Sequence, residues 1–329
     1  MENRSVAVCH SLFDLQGLAR LLERDYFVQG TPPLNVRLLS RSSNDLYRVS
    51  AGADTYLLRV SPHGSREAHV RGEVDLLHDL SQAALRVPRP LPTRDGVYLW
   101  ALDAPEGRRW GVLLGYIEGT MLRWAVDETA CHKLGALCGV FHAWGDNAGG
   151  RAYSRPCLDA GFLLDDPIER VERGEYLTAQ EQAWVRSAAE KIRPYLAVLP
   201  QKAPYYGVCH GDVHHGNALV CGEGMALLDF DFCGYGYRVY DLATYQASAW
   251  NESRQAAFFA GYETVRPISA EERRLLPYFV AARQIWVLGH IARGAALWGQ
   301  VWVLDRMKSI MDHLRGVVEG LEPIGAAGP

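Results

Sequence analysis

The chain has 329 residues, of which 48% are hydrophobic and 22% charged, a composition typical of a globular protein with one large domain or two lobes. Its formal net charge of -4 provides no basic field for nucleic acid or an anionic membrane surface, so neither is an expected partner. Seven cysteines without a Cys-x-x-Cys pair cannot all form disulfides within the chain. With no apolar N-terminal segment of the signal-peptide type, we expect a reduced, cytoplasmic protein that is a monomer or a homodimer.

The N-terminal region begins with a helical pattern followed by strand patterns. Ser11, with Asp14 three residues later, resembles a capping box, and apolar residues at helical spacing predict an amphipathic helix over 12–24. Short apolar runs separated by turn residues then predict an antiparallel meander. These runs lie at 36–39, 46–49 and 56–60.

A second helix and a further hairpin follow. Apolar residues three or four apart predict a helix over 66–80, and strand composition resumes at 97–102 and 109–114 around a glycine-containing turn. Glycines then interrupt the pattern before the helical part of the chain. The predicted boundaries are 1–114 for an N-terminal β-rich lobe, 115–119 for a hinge and 120–329 for a C-terminal helical lobe.

The C-terminal region is mostly helical with one β interruption. Helices are predicted over 127–143, 179–197, 239–249, 253–263, 270–296 and 299–320. Apolar runs at 218–220 and 225–228 surround the turn residues Cys221-Gly-Glu-Gly224, which predicts a β-hairpin. Polar segments flank this hairpin: His210-Gly-Asp-Val-His-His-Gly-Asn217 precedes it and Asp229-Phe-Asp231 follows it.

These polar residues fit the needs of phosphoryl transfer from ATP to an alcohol. That reaction requires a carboxylate to accept or orient the hydroxyl proton and oxygen ligands to hold Mg²⁺ against the phosphates. Asp212 is followed after four residues by Asn217, the spacing of base and metal ligand in a kinase catalytic loop. Because a hairpin reverses the chain, Asp229 is expected to return beside Asn217. The motif alone is weak, and its combination with the hairpin makes it specific.

Two other interpretations of this segment remain open. His210-Gly-Asp212 also fits an Asx-type turn, and Asp229 fits an exposed acid that ends a strand. The second alternative is zinc binding by three histidines and a cysteine, although adjacent histidines diverge on an extended chain and no later pair completes a zinc set. The residues concerned are Cys209, His210, His214 and His215.

Three segments together resemble the aminoglycoside phosphotransferase and choline kinase superfamily, which includes homoserine and hydroxylysine kinases. They are His210 to Asn217, Leu227-Leu-Asp-Phe-Asp231 and Gly236-Tyr-Arg-Val-Tyr-Asp-Leu-Ala243. The resemblance covers roughly residues 34–320 and is motif-grade over 208–243. It implies an α+β, protein-kinase-like, two-lobed fold, in which a small antiparallel β lobe with one helix precedes a large, mainly helical lobe.

The resemblance also implies roles for the polar residues. Asp212 would be the catalytic base, and Asn217 and Asp229 would bind Mg²⁺. Asp241 would tie the loop to the helical lobe, and Asp231 occupies the place of the glycine in the Asp-Phe-Gly motif of protein kinases. The supporting residues are His210, His214, Asp231 and Asp241.

The nucleotide would be bound by residues of the N-terminal lobe. A kinase-like fold needs a cation on the third strand and a helix glutamate to hold it, for which Arg59 and Glu73 are the candidates. Arginine replaces the usual lysine and would bind phosphate through a different hydrogen-bond geometry. Read individually, the two residues also fit an ordinary strand cation and a solvated helix residue. Ser42 and Asn44 stand where a glycine-rich loop is usual and would offer polar groups to phosphate.

The backbone around Gly115 and Tyr116 would hydrogen-bond the adenine edge, although such glycines also occur in plain loops. A small hydroxylated substrate is expected near the C-terminal helices, whose polar and aromatic residues also fit core positions. These residues are Tyr278, Arg283, Trp286, His290 and Trp298. Acids between Asp159 and Glu175 would suit an aminated substrate, whereas Arg283 would suit a carboxylate.

The sequence therefore predicts an ATP- and Mg²⁺-dependent phosphotransferase acting on a hydroxyl of a small molecule. An amino alcohol or hydroxy amino acid is preferred over an aminoglycoside-type antibiotic, because no long acidic insertion is present. The alternative is a catalytically silent protein of the same fold that serves in binding or as a scaffold, motivated by Arg59 and the glycine-poor first hairpin. Sequence leaves open the acceptor and the choice between ATP and GTP.

Overall fold

The computed structural model describes residues 8, 10–28, 33–83, 85–124, 126–147, 151–174, 176–249, 251–298 and 300–322. The chain divides into two units. The N-terminal unit comprises Met1–Gly119, Ala152–Arg155 and Ala226–Asp231. The C-terminal unit comprises Thr120–Arg151, Pro156–Met225 and Phe232–Pro329.

A five-stranded antiparallel sheet organises the N-terminal unit. Its strands are β1 (Asn35–Arg41), β2 (Asp45–Ala51), β3 (Asp54–Val60), β4 (Trp100–Ala104) and β5 (Gly107–Gly115), in the order β1-β2-β3-β5-β4. Along β2, Tyr47 and Val49 are fully buried while Arg48 between them is exposed, the alternation of a sheet with one covered face. The predicted meander and second hairpin are confirmed.

Two helices pack with this sheet. The first, α1 (Leu15–Asp25), buries Leu18 and Leu22 in the same core cluster as β2 and β3. The proposed capping box at Ser11 is wrong, because the N-cap is Asp14, whose carboxylate accepts from the backbone of Gly17. Ser11 instead donates through its hydroxyl to Glu106 at 2.7 Å.

The second helix, α2 (Glu67–Gln82), begins one residue later than predicted and buries the expected apolar face. Glu73 is buried on the same helix, with 1% of its surface exposed. A carboxylate is rarely buried without a partner, so its position indicates a specific cation nearby.

Helices dominate the C-terminal unit. They are α3 (Glu128–Asn147), α4 (Asp166–Arg173), α5 (Ala179–Ile192), α6 (Val239–Ser248), α7 (Glu252–Glu263), α8 (Ala270–Trp298) and α9 (Gln300–Glu319). All were predicted except α4, which follows a π-helical turn at Gly161–Asp165. The largest core cluster of this unit is built around α8, which packs against α4, α6 and α9.

Short strands complete the structure. They are β6 (Thr120–Met121), β7 (Tyr206–Cys209), β8 (Ala218–Cys221), β9 (Gly224–Leu227) and β10 (Gly234–Tyr237). Strands β8 and β9 form the predicted hairpin in a sheet of order β6-β8-β9, while β7 and β10 pair separately as an antiparallel ribbon.

The β7–β10 ribbon was missed because glycines make it atypical of strands. Its glycines are required by close packing. A Cβ at Gly207 would lie 2.4 Å from the guanidinium of Arg238, and one at Gly234 would lie 2.5 Å from the carbonyl oxygen of Pro156.

One helical segment of the described chain, Ala270–Ala295, is long and apolar enough to cross a membrane by length and composition alone. Arg283 and other polar residues lie within this segment. In the structure 72% of its most apolar window is buried inside the protein, as is usual for a core helix.

Candidate functional site

The predicted catalytic loop connects β7 to β8 and depends on one glycine. Gly211 has φ +78°, and a Cβ there would lie 2.2 Å from the carbonyl oxygen of Phe232. Only glycine fits this combination of left-handed backbone and close approach. The loop ends in a 3₁₀ turn at His215–Asn217, which leads directly into β8.

Asp241 of α6 fixes the start of this loop through hydrogen bonds to its backbone. Its two carboxylate oxygens accept from the backbone N–H groups of His210 and Gly211, each at 2.7 Å. One of them also contacts His142 Nε2 at 2.9 Å. Burial acts to raise the pKa of Asp241, but the hydrogen bond from His142 and the neighbouring charges lower it overall. A buried, ionised carboxylate thus fixes the backbone just before Asp212.

Asp212 is buried and surrounded by donors. Arg283 of α8 donates to Asp212 Oδ1, and its other terminal nitrogen donates to the carbonyl of Gly211 at 3.2 Å. Asn217 donates to Asp212 Oδ2 at 2.8 Å. Burial acts to raise the pKa of Asp212, but the charge of Arg283 and the contact with His214 outweigh it and hold that pKa well below its usual range. Asp212 is therefore a fixed carboxylate anion.

The tautomer of His214 follows from its backbone contact. Its Nδ1 accepts from the N–H of Gly216 at 2.8 Å, so in the neutral ring the proton is on Nε2. That Nε2 lies 3.4 Å from Asp212 Oδ2. His214 thus presents a donor to the predicted base.

Asn217 is oriented by the same network. Its amide nitrogen donates to both the carboxylate and the backbone carbonyl of Asp212, at 2.8 and 3.0 Å. This assignment turns its amide oxygen away from Asp212, and an amide oxygen is a suitable ligand for a hard divalent cation.

The three histidines of the loop have different partners, which does not support the zinc alternative. The Nδ1 of His210 accepts from the N–H of Asp212, whereas His215 Nε2 lies 2.9 Å from the hydroxyl of Tyr245. One other cluster in the described residues has the spacing of a metal site, formed by Cys138, His142 and Asp241. Its imidazole bonds Tyr262 and Asp241, and burial raises the pKa of the Cys138 thiol well above its usual value. We therefore interpret this cluster as a set of structural hydrogen bonds and not as a metal site.

The aromatic residues considered for substrate binding are mostly core. The Arg283 guanidinium stacks over Trp286 at 4.5 Å, and Trp286 stacks in turn on His290. Tyr278 is 3% exposed and donates to the carbonyl of Glu322. Arg283 is thus engaged with Asp212 rather than available as a carboxylate receptor, and the side chains of Trp298 and Glu175 lie outside the described residues.

In the N-terminal unit, Arg59 and Glu73 lie in contact. Both terminal nitrogens of Arg59 donate to the carboxylate of Glu73, one of them at 2.8 Å. Asp231 Oδ1 is a further acceptor at 3.3 Å. The buried guanidinium of Arg59 thus contacts Glu73, as the sequence predicted, and also Asp231, a partner that the sequence did not indicate.

The turn of the first hairpin, between β1 and β2, also contacts Asp231. Asn44 donates through its side-chain amide to Asp231 Oδ2 at 2.6 Å, and the N–H of Ser42 donates to the carbonyl of Asn44. Arg155 donates to the backbone carbonyl of Asp231. Asp231 therefore links the turn between β1 and β2 to Arg59.

Asp229 has the backbone conformation of a specialised position. Its φ is +59°, and among the described residues it is the one residue other than glycine with a positive φ. Asp tolerates this region better than most residues, and such conformations cluster at functional sites. Asp229 is exposed, whereas the neighbouring Phe230 is buried.

The proposed adenine-binding residues lie at the end of β5. The N–H of Gly115 donates to the carbonyl of Arg89 at 2.8 Å, so this donor is already used. Tyr116, 40% exposed, lies just beyond the strand, where Arg48 is 5.4 Å from the centre of its ring.

Sequence reasoning missed a pocket of about 370 Å³ in the C-terminal unit. It is lined by His215, Ser248, Ala249, Arg254 and Arg306. These residues come from the catalytic loop, the end of α6, α7 and α9. No motif joins them, so the sequence carries no signal that would have found the pocket.

Residues 35–278 match the model of a family described as the phosphotransferase enzyme family. An uncharacterised protein of Deinococcus radiodurans is 33% identical over 306 residues, 90% of this chain and 87% of that protein. A homoserine kinase of Rhizobium etli is 27% identical over 230 residues, 68% of this chain and 64% of the enzyme.

Two solved structures share the fold. A microcompartment-associated aminopropanol kinase superposes with a TM-score of 0.77 at 22% identity, covering 93% of this chain and 99% of that one. An amicoumacin kinase in complex with AMP-PNP, Ca²⁺ and Ami superposes with a TM-score of 0.76 at 19% identity, covering 92% of this chain and 94% of that one.

Proposed function

This chain belongs to the phosphotransferase enzyme family and is a small-molecule phosphotransferase, and we propose that it transfers the γ-phosphoryl group of ATP to a hydroxyl group of a small metabolite. The observation that carries the proposal is Asp212, a buried carboxylate whose pKa lies well below its usual range and which is held by Arg283 and Asn217. Such a fixed acceptor can orient a hydroxyl group for attack on a phosphorus atom.

We propose that Asp212 acts mainly by orientation. A carboxylate with a strongly lowered pKa is a weak base, so it takes the hydroxyl proton late, as the bond to phosphorus forms. This suits phosphoryl transfer, whose transition state is loose and makes little demand on an early proton transfer. His214 and Arg283 keep the carboxylate in place through their contacts.

Asn217 and Asp229 are the proposed Mg²⁺ ligands. The amide oxygen of Asn217 is turned away from Asp212, and Asp229 is an exposed acid, so both offer the oxygen atoms that Mg²⁺ prefers. When bound, the metal would neutralise charge on the transferred phosphates. The ATP- and metal-dependent reaction is supported by the relative solved with AMP-PNP and Ca²⁺.

Arg59, Glu73, Ser42 and Asn44 are the proposed phosphate-binding residues. Tyr116 is the proposed adenine contact, because the N–H of Gly115 is already bonded to Arg89. For the acceptor we propose an amino alcohol or a hydroxy amino acid before an aminoglycoside-type antibiotic. Relatives named as homoserine kinase and aminopropanol kinase support this choice.

The test is phosphoryl transfer from Mg-ATP by purified protein to a panel of hydroxylated metabolites and antibiotics. Asp212→Asn keeps the shape of the side chain and removes its charge, so we expect kcat to fall by about 10²–10⁴-fold, the usual contribution of a positioned base. If no acceptor gives more turnover than the Asp212→Asn protein, the proposed function is wrong.

A further inference from the structure

The C-terminal unit contains a pocket lined in part by His215, Arg254 and Arg306. Its volume of about 370 Å³ matches the size of sites for small molecules. His215 connects it to the catalytic loop, since this residue opens the 3₁₀ turn that ends at Asn217. Asn217 is in turn bonded to Asp212 at 2.8 Å. A ligand in this pocket would therefore contact the turn that carries a predicted metal ligand.

The charges of the pocket are unbalanced. Neither Arg254, which is half-buried, nor Arg306, which is exposed, has an ion pair with any acidic side chain in the described part of the chain. The buried arginines Arg238 and Arg266 of this unit, in contrast, both pair with Asp146. Two guanidinium groups without a counter-charge thus face one small cavity.

The remaining lining residues do not offset this charge. Ser248 contributes a hydroxyl and Ala249 an apolar surface, and no carboxylate lines the pocket. His215 contributes an imidazole ring whose Nε2 lies 2.9 Å from the hydroxyl of Tyr245. The pocket therefore carries the two positive charges of its arginines and no negative charge.

We propose that this pocket binds an oxyanion of the acceptor, a carboxylate or a phosphate, and so selects hydroxylated substrates that carry such a group. Guanidinium groups bind both oxyanions through paired, charge-assisted hydrogen bonds. A polycationic aminoglycoside would instead meet like charges there. The inference deepens the proposed function and rests on it: a hydroxy amino acid becomes the favoured acceptor over the corresponding amino alcohol.

Matched acceptor pairs that differ in one carboxylate test the proposal. They are L-serine with ethanolamine, L-threonine with 1-aminopropan-2-ol, and L-homoserine with 3-aminopropan-1-ol, while sn-glycerol 3-phosphate with glycerol tests phosphate. In at least one pair we expect the member that carries the oxyanion to have the higher kcat/KM. Arg254→Gln and Arg306→Gln should each raise the KM for that member about tenfold or more, with a smaller effect on kcat and on the KM for the member without the oxyanion.

Arg315→Gln is the matched control, because Arg315 lies on α9, outside the pocket, and pairs with Glu181 and Asp312. This variant should keep the wild-type KM for every acceptor. The proposal is overturned if the members without the oxyanion are the better substrates throughout, or if the two pocket variants behave like Arg315→Gln. Turnover of an acceptor without an oxyanion would then leave the proposed function standing.

A binding measurement separates this proposal from the reaction itself. Calorimetry with L-homoserine and with inorganic phosphate, without nucleotide, should detect binding to the wild-type protein and its loss in the Arg254→Gln/Arg306→Gln protein. This result would support the anion site even if no acceptor were phosphorylated. Equal binding by the two proteins, or no binding of either probe to the wild type, would overturn it.

Discussion

Asp212 shows how a single residue depends on neighbours far away in sequence. Its strongest opposing charge is Arg283, 71 residues later on α8, and its orientation comes from Asn217 within the loop. A lone carboxylate buried to this degree would have a raised pKa. The partners reverse this shift, so Asp212 stays ionised throughout the physiological pH range.

Replacing Arg283 by Gln should therefore change the pH dependence of the reaction. With Arg283 absent, the pKa of Asp212 rises, and protonation removes activity at a higher pH than in the wild type. We expect the acid limb of kcat/KM to move upward in pH and kcat near pH 7 to fall about 10–100-fold. A pH–rate profile between pH 4 and 8 measures both. An unchanged acid limb would mean that Arg283 does not set the charge of Asp212.

Asp231 gives a second prediction at this scale. Together with Glu73 it neutralises Arg59, the proposed phosphate-binding cation. Asp231→Asn keeps the shape but leaves Arg59 with one carboxylate, so the KM for Mg-ATP should fall by roughly 2- to 5-fold, as expected for a partly exposed ion pair. Initial rates over a range of Mg-ATP concentrations measure this effect.

Glu73→Gln is the comparison for that experiment. Glu73 holds Arg59 through both terminal nitrogens, so its loss should misplace the cation and raise the KM for Mg-ATP. If Asp231→Asn also raised this KM, the role of Asp231 would be in binding the metal or nucleotide directly.

At the scale of elements, short irregular segments are the hardest to predict. The β8–β9 hairpin was predicted because apolar runs flank a glycine-rich turn, a local signal. The β7–β10 ribbon carries no such signal, since its glycines are selected by contacts with Arg238 and Pro156. Helix α4 was missed for a similar reason, because it continues from a π-helical turn.

The backbone of the catalytic loop gives a prediction at this scale. Gly211 and Gly222 both have positive φ, but a Cβ at Gly211 would collide with the carbonyl of Phe232, whereas one at Gly222 would meet nothing within 4 Å. Gly222→Ala should cost about 1–2 kcal/mol of unfolding free energy, from backbone conformation alone. Gly211→Ala should cost more and should also lower kcat, because Asp212 is displaced.

Denaturant unfolding and steady-state kinetics on the two alanine variants compare these effects directly. Equal losses of stability with unchanged kcat in both proteins would show that the contact between Gly211 and Phe232 does not constrain the loop.

At the scale of the whole molecule, buried histidines couple folding to pH. Burial is the main cause that lowers the pKa of His142, His215 and His290 to about 4. In the unfolded chain these rings would titrate near the ordinary value of about 6.5. Between pH 6.5 and 4 the unfolded state therefore binds more protons than the folded state, and stability falls as pH decreases.

His142→Gln should reduce this pH dependence. His142 is fully buried, and removing it removes one group that takes up a proton on unfolding. We expect the slope of the unfolding free energy against pH, between pH 5 and 6, to decrease by up to about one proton equivalent. Denaturant titrations at several pH values measure the slope. The same slope in both proteins would show that His142 does not contribute.

The sequence by itself determined the α+β, protein-kinase-like fold, which the solved structures confirm, together with the family and most of the helices and strands. These follow from local periodicity, turn chemistry and motif spacing. Only the tertiary structure decided that Arg283 contacts Asp212, that Asp231 joins Asn44 to Arg59, and that two arginines of α7 and α9 face one pocket. The reason is physical: charge state and pocket chemistry depend on which distant segments pack together, and local sequence patterns do not encode that packing.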